Sequence, residues 1–358
     1  MREPKRGLDL REALFEDYEQ ISLLEGRYDL EPRSREEWKH IWIGNPAYKD
    51  RGKQWPIGWV LENEDRQIVG YLGNIPLSYQ FQKRKLVAAV THAWVVESSY
   101  RSYAILLLDS YFRQKNADFF LSTTLNAKAT EAFQVFKSPA VPVGRWDQSA
   151  FWITNYQGFV SSWSRKQSAR MNLFTLPFSI GLWVQDALTR RPPKHVCNGD
   201  KVEAVDSFDR RFDIFWEALQ ERYPQLLLAD RSCEALQWHF RYAIQKKDVW
   251  ILTITKGSQL AAYSIFCRQD KPSFGLKRMR FVDFQALDGS SSLLPMLSWA
   301  LQRCRAENIH MLECVGICPQ QCDAFESLAS RQRKLPSWMY FYKARDPSLA
   351  QNLENPQV

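Results

Sequence analysis

Cysteine is absent from this 358-residue chain before Cys197, and the total of seven is an odd number. We also expect no secretory signal, since the first residues of the sequence, MREPKRGLDLRE, are charged throughout. These absences exclude a small secreted domain held together by disulfides, and we expect reduced thiols in a cytoplasmic protein. Cys314, Cys318 and Cys322 fit neither the usual zinc spacing nor an iron–sulfur spacing, so we expect no metal.

Long apolar runs are lacking too. The stretch Met171–Gln185 carries no charge, but it is too short, and too broken by Pro177 and Gly181, to cross a bilayer as a helix. Basic residues flank it on both sides. Three interpretations stay open: a connector packed on one domain, a segment at a membrane surface, or the lining of a channel for a long acyl chain.

Dense charge of one sign is scarce, although the net charge is +8 and the pI is about 9.0. Only QKRK and RRPPK are compact basic clusters, which is too diffuse to favour nucleic acid as a partner. The hydrophobic content of 45% is sufficient for a large core. A chain of this length favours two domains over one.

The two halves of the chain repeat the same order of short signals. EGRYDLEPRSREEWKHIW, from Glu25, resembles ERYPQLLLADRSCEALQWHF, from Glu221. The predicted hairpins after them end near Tyr71 and Tyr263, and each is followed by a long strand, a leucine-rich helix, a short strand and another helix. Five such matches in order indicate a duplication.

Each half therefore predicts helix, helix, hairpin, long strand, helix, strand, helix. This is an α+β fold with a mostly antiparallel sheet that ends in a parallel pair. We predict an N-terminal domain over 1–154, a connector over 155–200, a C-terminal domain over 201–348 and a tail over 349–358.

This order of elements resembles the GCN5-related N-acetyltransferase fold, and THAWVVESSYRSYAILLLDS through LSTTLNAKATEAFQVF resembles its acyl-coenzyme A core. The chain therefore resembles the tandem acyltransferases of that superfamily. This resemblance implies acyl-coenzyme A as co-substrate. The resemblance implies that backbone groups at Val95 and Val96 bind the pantetheine arm. It also implies that the following turn binds the pyrophosphate, and that Asn126 belongs to the cofactor site.

Glycine is missing from that turn. The family pattern Arg-x-x-Gly-x-Gly or Ala begins here at Arg101 and continues through Ser102 and Tyr103, but Ala104 and Leu106 replace the glycines. Free N–H groups and the dipole at the start of a helix favour an anion, so the layout still suits a phosphate. Two interpretations stay open: coenzyme A binds with help from the charge of Arg101, or this half has lost its cofactor.

In the second half, Gly289 and three serines precede the matching helix without a basic residue. These small residues suit an anion, but the serines also suit ordinary helix capping.

Acyl transfer to an amine requires a base, and His92 and Glu97 are candidates on the predicted long strand. Side chains alternate along a strand, so residues five apart point to opposite faces unless a bulge intervenes. Asp283 lies on the second long strand among aromatic residues and is the third candidate, unless it forms an ion pair with Arg278 or Arg280. The family's general-acid tyrosine is replaced by Phe133.

We accordingly predict transfer of an acyl group, possibly a fatty acyl group, from acyl-coenzyme A or an acyl carrier protein to a primary amine by direct attack. The acceptor would be a small molecule, a sugar or a peptide side chain. The alternatives are tRNA-dependent aminoacyl transfer on the same fold and a non-catalytic binding module. Contact with a membrane or lipid through 171–185 is a further open possibility.

Overall fold

A computed structural model of the chain describes residues 7–28, 30, 31, 33–125, 127–142, 148–167, 175–189, 201–316, 331–335 and 339–358. The chain divides into two compact units. The first unit comprises Met1–Pro142, Tyr223–His239 and Ser337–Val358, and the second comprises Val143–Arg222 and Phe240–Pro336.

The strands of the described residues are, in chain order, β1 (Asp9–Glu12), β2 (Gly58–Glu62), β3 (Ile68–Phe81), β4 (Arg84–Val96), β5 (Phe119–Leu125), β6 (Gln148–Ile153), β7 (Val202–Val205), β8 (Leu228–Ala229), β9 (Val249–Lys256), β10 (Gln259–Arg268), β11 (Arg278–Ala286), β12 (Met311–Val315), β13 (Arg331–Lys334) and β14 (Met339–Ala344).

The α-helices are α1 (Tyr18–Arg27), α2 (Arg35–Ile43), α3 (Pro46–Lys49), α4 (Ala104–Arg113), α5 (Ala127–Val135), α6 (Tyr156–Lys166), α7 (Thr175–Thr189), α8 (Arg210–Arg222), α9 (Cys233–Gln245), α10 (Leu293–Ala306) and α11 (Pro347–Leu353). Short 3-10 helices cover Phe15–Asp17, Gly52–Gln54, Ser98–Tyr103 and Pro272–Phe274. Among the described helices, none is long and apolar enough to span a lipid bilayer.

Each unit is built on one mixed sheet. The order in the first unit is β1-β2-β3-β4-β5-β14, with β8 also pairing with β3. The order in the second unit is β13-β6-β12-β11-β10-β9-β7. In each sheet the parallel pair joins the long strand to the short strand that follows its helix, β4 with β5 and β11 with β12. This arrangement confirms the predicted fold class.

Each sheet includes at least one strand from the other half of the sequence, and the short β8 in the first sheet is one such strand. Strand β14, near the C-terminus, pairs antiparallel with β5, while β6 pairs antiparallel with β12. Sequence periodicity does not foresee this exchange, because it reports local structure and not pairing partners. The predicted domain limits at 154, 200 and 348 stay predictions.

Both faces of the first sheet are covered. On one face, Trp38 and Trp42 of α2 pack with Tyr71 and Val95. On the other, α4 packs against a separate cluster that includes Val96. Helix α2 begins with a capping box, in which the Ser34 hydroxyl accepts from the Glu37 N–H and the Glu37 carboxylate accepts from the Ser34 N–H. The cap fixes where the tryptophan-bearing face begins.

Candidate functional site

Strands β4 and β5 separate halfway along β4. Their parallel register runs from Ala88 opposite Phe119 to Val90 opposite Leu121 and goes no further. Strand β4 continues to Val96 on its β3 side only. Because the Glu97 N–H donates to the Val69 carbonyl on that side, alternation directs the backbone groups of Val96 toward the open edge. A ligand chain can hydrogen-bond there as an additional strand would.

A β-bulge lies beside this opening. Val95 lies opposite Tyr71 while His92 lies opposite Gly73, so β4 uses three steps where β3 uses two. Ala93 takes a positive φ of 49° at the bulge. One extra residue reverses the alternation of side chains beyond it. His92 and Glu97 therefore lie on the same face of the sheet, the face that α1 and α2 cover.

His92 lies against the tryptophans and Arg33. Its ring centroid is 6.4 Å from that of Trp42, and its Nε2 lies 3.2 Å from Nη1 of Arg33. A guanidinium only donates, so this Nε2 is the acceptor and the ring proton is on Nδ1. Burial and the charge of Arg33 lower the pKa of His92 to about 3. The imidazole is neutral at physiological pH and is a weak base.

Glu97 is tied to the end of α1. Its carboxylate accepts a very short hydrogen bond from Nη1 of Arg27. The next residue is held by the same helix end, because the Ser98 N–H donates to the Tyr28 hydroxyl over 2.9 Å. The C-terminus of α1 therefore fixes the start of the turn that follows β4.

The turn after β4 is a 3-10 helix that leads directly into α4, and no side chain caps the start of α4. Arg101 and Ser102 are exposed, and within the described residues Arg101 makes no ion pair or side-chain hydrogen bond. Tyr103, Ala104 and Leu106 are partly buried and pack against the core on the α4 side. The side chain of Leu106 is thus turned toward the core.

Three buried polar atoms lie together on the α1–α2 face. Oε1 of Glu25 has no hydrogen-bond partner in the described part of the chain, while Nε1 of Trp38 and the hydroxyl of Tyr71 interact with each other outside ideal hydrogen-bond geometry. Glu25 is 4% exposed, and burial raises its pKa while the charge of Arg33 opposes that rise. Unpaired buried polar groups are costly and call for an explanation.

Gly73 makes room for this group. A Cβ at that position would lie 2.7 Å from the Tyr71 hydroxyl and 3.1 Å from Cβ of His92. A side chain would therefore collide with both residues. The glycine allows the phenol and the imidazole to lie next to each other below the bulge.

The opposite face carries one more unpartnered donor. Trp94 lies beyond the bulge, and its Nε1 is buried without a hydrogen-bond partner among the described residues. Its ring meets Phe133 of α5 edge to face at 6.1 Å. The indole N–H thus lies beside the residue that replaces the family's general acid.

The remaining predicted cofactor residues separate as follows. Val95 and Val96 are both buried, on opposite faces of the sheet, and by the same alternation only the backbone groups of Val96 face the open edge, while those of Val95 face β3. Asn126 lies outside the described residues.

The second unit repeats the parting of strands. Strands β11 and β12 pair from Arg278 opposite Met311 to Phe281 opposite Cys314, and β11 continues beyond this register to Ala286. A bulge again lies at the opening, because Phe281 lies opposite Phe266 and Asp283 opposite Ile265, which leaves Val282 as the extra residue. With Tyr71 and Tyr263 aligned, Asp283 occupies the pairing position of His92.

Asp283 accepts from the Tyr263 hydroxyl at 3.1 Å and from the Gln285 amide at 3.2 Å. The ion pairs described for Arg278 and Arg280 are with Glu313, at 3.0 and 3.3 Å, and Arg333 and Ser149 also donate to that buried carboxylate. The turn after β11 has Gly289 at φ 80°, and no side chain caps α10.

The apolar segment 171–185 falls partly on α7, which packs against α6 within the second unit. Ile180, Trp183 and Val184 are 58%, 56% and 40% exposed. They are spaced i, i+3, i+4 and therefore form one apolar stripe. The described residues contain no group of three or more metal-ligating side chains.

Sequence reasoning missed Arg27, Arg33 and Trp94, and it treated Glu25 and Tyr71 only as marks of the repeat. Nothing local distinguishes these residues from others of their type. The signal was the repeat itself, which placed Glu25 and Tyr71 in corresponding positions of both halves.

No protein family and no curated protein matches the sequence. Solved structures do match the fold. N-myristoyltransferase of Saccharomyces cerevisiae with bound myristoyl-CoA aligns at a TM-score of 0.58 and 10% identity, over 97% of this chain and 87% of that one.

Two GCN5-related N-acetyltransferases align as well. The protein from Kribbella flavida gives a TM-score of 0.57 at 10% identity over 93% of this chain and 70% of that one. The protein from Anabaena variabilis gives 0.54 at 12% over 95% and 73%. The chain therefore has the fold of the GCN5-related N-acetyltransferases, as the sequence analysis predicted.

Proposed function

We propose that the protein transfers an acyl group from acyl-coenzyme A, or from an acyl carrier protein with the same pantetheine arm, to a primary amine. The observation that carries the proposal is the parting of β4 from β5 at Val90, followed by a turn into the uncapped start of α4. The open edge suits an extended amide chain, and the helix start suits a pyrophosphate. The aligned yeast enzyme was solved with myristoyl-CoA bound, which supports the same class of co-substrate.

The proposed cofactor site lies in the first unit. The backbone groups of Val96 would bind the pantetheine amides. The turn of Arg101, Ser102, Tyr103 and Ala104 would bind the pyrophosphate through the exposed guanidinium of Arg101 and the hydroxyl of Ser102, because the Ala104 N–H already donates to the Arg101 carbonyl. The resemblance extends this site to Asn126. The core-directed side chain of Leu106 supports the proposal, because it leaves the outside of the turn open.

We assign the acceptor amine to the α1–α2 face, below the bulge. Oε1 of Glu25 has no hydrogen-bond partner there among the described residues, and Tyr71, with its hydroxyl near Trp38, lies beside His92. An ammonium group supplies the donors that a buried carboxylate lacks. A carboxylate with a raised pKa is also a better base near neutrality than His92, whose pKa is about 3. In this scheme His92 and Glu97 position neighbouring groups.

The proposed chemistry is a direct attack. Glu25 takes a proton from the ammonium, and the free amine nitrogen attacks the thioester carbon. The carbon–sulfur bond then breaks, and the surplus proton of the attacking nitrogen passes through solvent to the leaving coenzyme A thiolate. We place the thioester in the gap between β4 and β5, so that the amine attacks from the α1–α2 face while the Trp94 N–H on the opposite face donates to the thioester oxygen, which then carries negative charge. Phe133 has no hydroxyl, so it supplies no proton.

The exposed stripe of α7 supports contact with lipid, and with it a long acyl chain. Ile180, Trp183 and Val184 form an apolar face, and Arg165 and Lys166 at the end of α6 add positive charge. Sedimentation with vesicles of anionic lipid tests this. We expect Trp183→Ser to weaken vesicle binding severalfold. Lys166→Ser measures the contribution of charge separately, because it leaves the apolar stripe unchanged. Equal sedimentation of all three proteins would remove the lipid assignment.

Native mass spectrometry with acetyl-, octanoyl- and palmitoyl-coenzyme A tests the function. We expect a one-to-one adduct, with the longest chain bound most tightly if α7 serves a lipid-like substrate. Arg101→Ala should weaken the adduct, while Arg35→Ala, an exposed arginine on α2, should not. Absence of an adduct with every donor would contradict the proposal.

A further inference from the structure

A cavity lies in the first unit, at the end of the sheet opposite to the proposed cofactor site. It has a volume of about 390 Å³, within the range of small-molecule sites. It is formed by the β3–β4 turn, the loop from α4 to β5 and the loop from β14 to α11. The charged residues that line it are Arg51, Arg84, Lys115, Asp118, Arg345 and Asp346.

This cavity is separate from the proposed cofactor site. Arg84 is the first residue of β4 and Val96 is the last. At about 3.3 Å per residue, the strand places them roughly 35–40 Å apart. Gln82 and Lys83 both have positive φ, at 48° and 62°, which forms the tight two-residue turn that brings Arg84 to the cavity.

Two of its four cations are held by uncharged groups. Nη1 of Arg51 donates to the Asn116 carbonyl at 3.2 Å, and Nη1 of Arg345 donates to the Lys115 carbonyl at 2.6 Å. Carbonyls orient guanidinium groups without neutralising them. Arg84 and the Lys115 side chain make no ion pair or hydrogen bond with any described residue.

The two carboxylates of the cavity are engaged with the main chain. Asp118 accepts from the Val87 N–H at 2.7 Å, and Asp346 accepts from the Ser348 N–H at 2.8 Å. Four cations against two carboxylates leave a surplus of two positive charges in the cavity. A surplus of this size, in a concave site with preset guanidinium groups, is complementary to a dianion.

From this we infer that the cavity binds the phosphate group of a small phosphorylated ligand. Arg51 and Arg345 are the oriented donors, and Arg84 and Lys115 supply the mobile charges. The site does not depend on acyl transfer, so a result against the proposed function would not contradict this inference.

Isothermal titration of the full chain with inorganic pyrophosphate tests the inference. Because the proposed cofactor turn would also take pyrophosphate, the charge variants are compared in the Arg101→Ala background, where we expect one-to-one binding that the double variant Arg84→Glu, Lys115→Glu weakens by about tenfold or more. Lys83→Glu is the matched control, because it changes an exposed lysine in the same turn that does not line the cavity. Arg101→Ala separates this binding from the proposed cofactor site and should leave it unchanged.

Three results would overturn the inference. They are no binding by the parent protein, equal weakening by Lys83→Glu, and loss of binding in Arg101→Ala alone. Tighter binding of a short RNA with the same dependence on Arg84 and Lys115, without pyrophosphate binding, would also overturn it in favour of a nucleic acid. The thermal midpoint of each variant shows that it is folded, and the single variant Lys115→Gln provides a milder charge change if the double variant is not.

Discussion

Strands β4 and β11 occupy the same place in their sheets but carry different chemistry. Each parts from its parallel neighbour and each has a bulge at the opening, at Ala93 in one and Val282 in the other. In the first unit, His92 lies two residues after the last residue of β4 that pairs with β5, and the turn after β4 carries Arg101. In the second unit, Asp283 lies two residues after the last residue of β11 that pairs with β12, and the turn after β11 carries Gly289. The two units share the order and the parting of strands, but the bulge follows His92 in one and precedes Asp283 in the other, and the side chains differ.

The repeat of Glu-Arg-Tyr signals shows the same divergence in burial. Glu25 is buried without a partner for Oε1 among the described residues, whereas Glu221 is exposed. Glu25 lies two residues before the last residue of α1, whereas Glu221 lies one residue before the last residue of α8, so the two glutamates lie on different faces of their helices. This comparison assigns the proposed chemistry to the first unit, and paired variants in the two units test the assignment.

The largest effect is expected for Glu25→Gln against Glu221→Gln. If Glu25 is the base, its loss should lower kcat by about 10²- to 10⁴-fold, while the change at Glu221 should leave kcat unaltered. Steady-state rates across a pH series measure this. Equal rates for the two variants would break the proposed difference between the units.

Stability provides a second readout for the same variant. Burial raises the pKa of Glu25, so the folded protein keeps this proton to higher pH than the unfolded chain does. The free energy of unfolding should therefore fall as pH rises through the pKa of the folded state. Glu25→Gln should lack this decline, which urea unfolding at several pH values would detect.

A smaller effect is expected for Trp94→Phe, whose counterpart in the second unit is Phe284. Removal of the indole N–H should lower kcat by about 10- to 100-fold and leave coenzyme A affinity unchanged. Phe284→Leu should affect stability only. A change in affinity with constant kcat would show that Trp94 contributes to binding and does not stabilise the reacting oxygen.

Arg101→Ala and Ser290→Ala sharpen the comparison of the two turns. We expect about tenfold weaker coenzyme A binding for Arg101→Ala, because a charge-assisted contact to phosphate is lost. Ser290→Ala should have little effect on titrations of coenzyme A. The reverse pattern would assign the cofactor to the second unit.

The smallest effect concerns His92 and stability in acid. Because its pKa is lowered to about 3, the unfolded chain binds a proton below about pH 6.5 that the folded protein does not. Acidification from pH 6.5 to 5 should cost about 1 kcal/mol, since the partial exposure of the ring reduces the effect. His92→Gln should remove this contribution, whereas Asp283→Asn in the second unit should not. Chemical unfolding at both pH values measures the difference.

Much of the frame could be predicted from local patterns. The hairpins, the long strands and the helices after them follow from hydrophobic periodicity, and the duplication follows from its repetition. The alternation of side chains along a strand also predicts that His92 and Glu97 share a face only if a bulge lies between them. The bulge itself was not predictable, because Ala93 is an unremarkable residue in the sequence and adopts its positive φ only when β3 fixes the register.

The sequence by itself determined the hairpins, the long strands with the helices that follow them, the α+β fold and the location of Arg101 in a turn before a helix. These depend on interactions between residues that are near each other in the chain. The tertiary structure alone decided the exchange of β6 and β14, the burial of Glu25, the unpartnered N–H of Trp94 and the basic cavity around Arg84. Each of these depends on which distant segment covers a residue or leaves it open, and short-range periodicity carries no information about that.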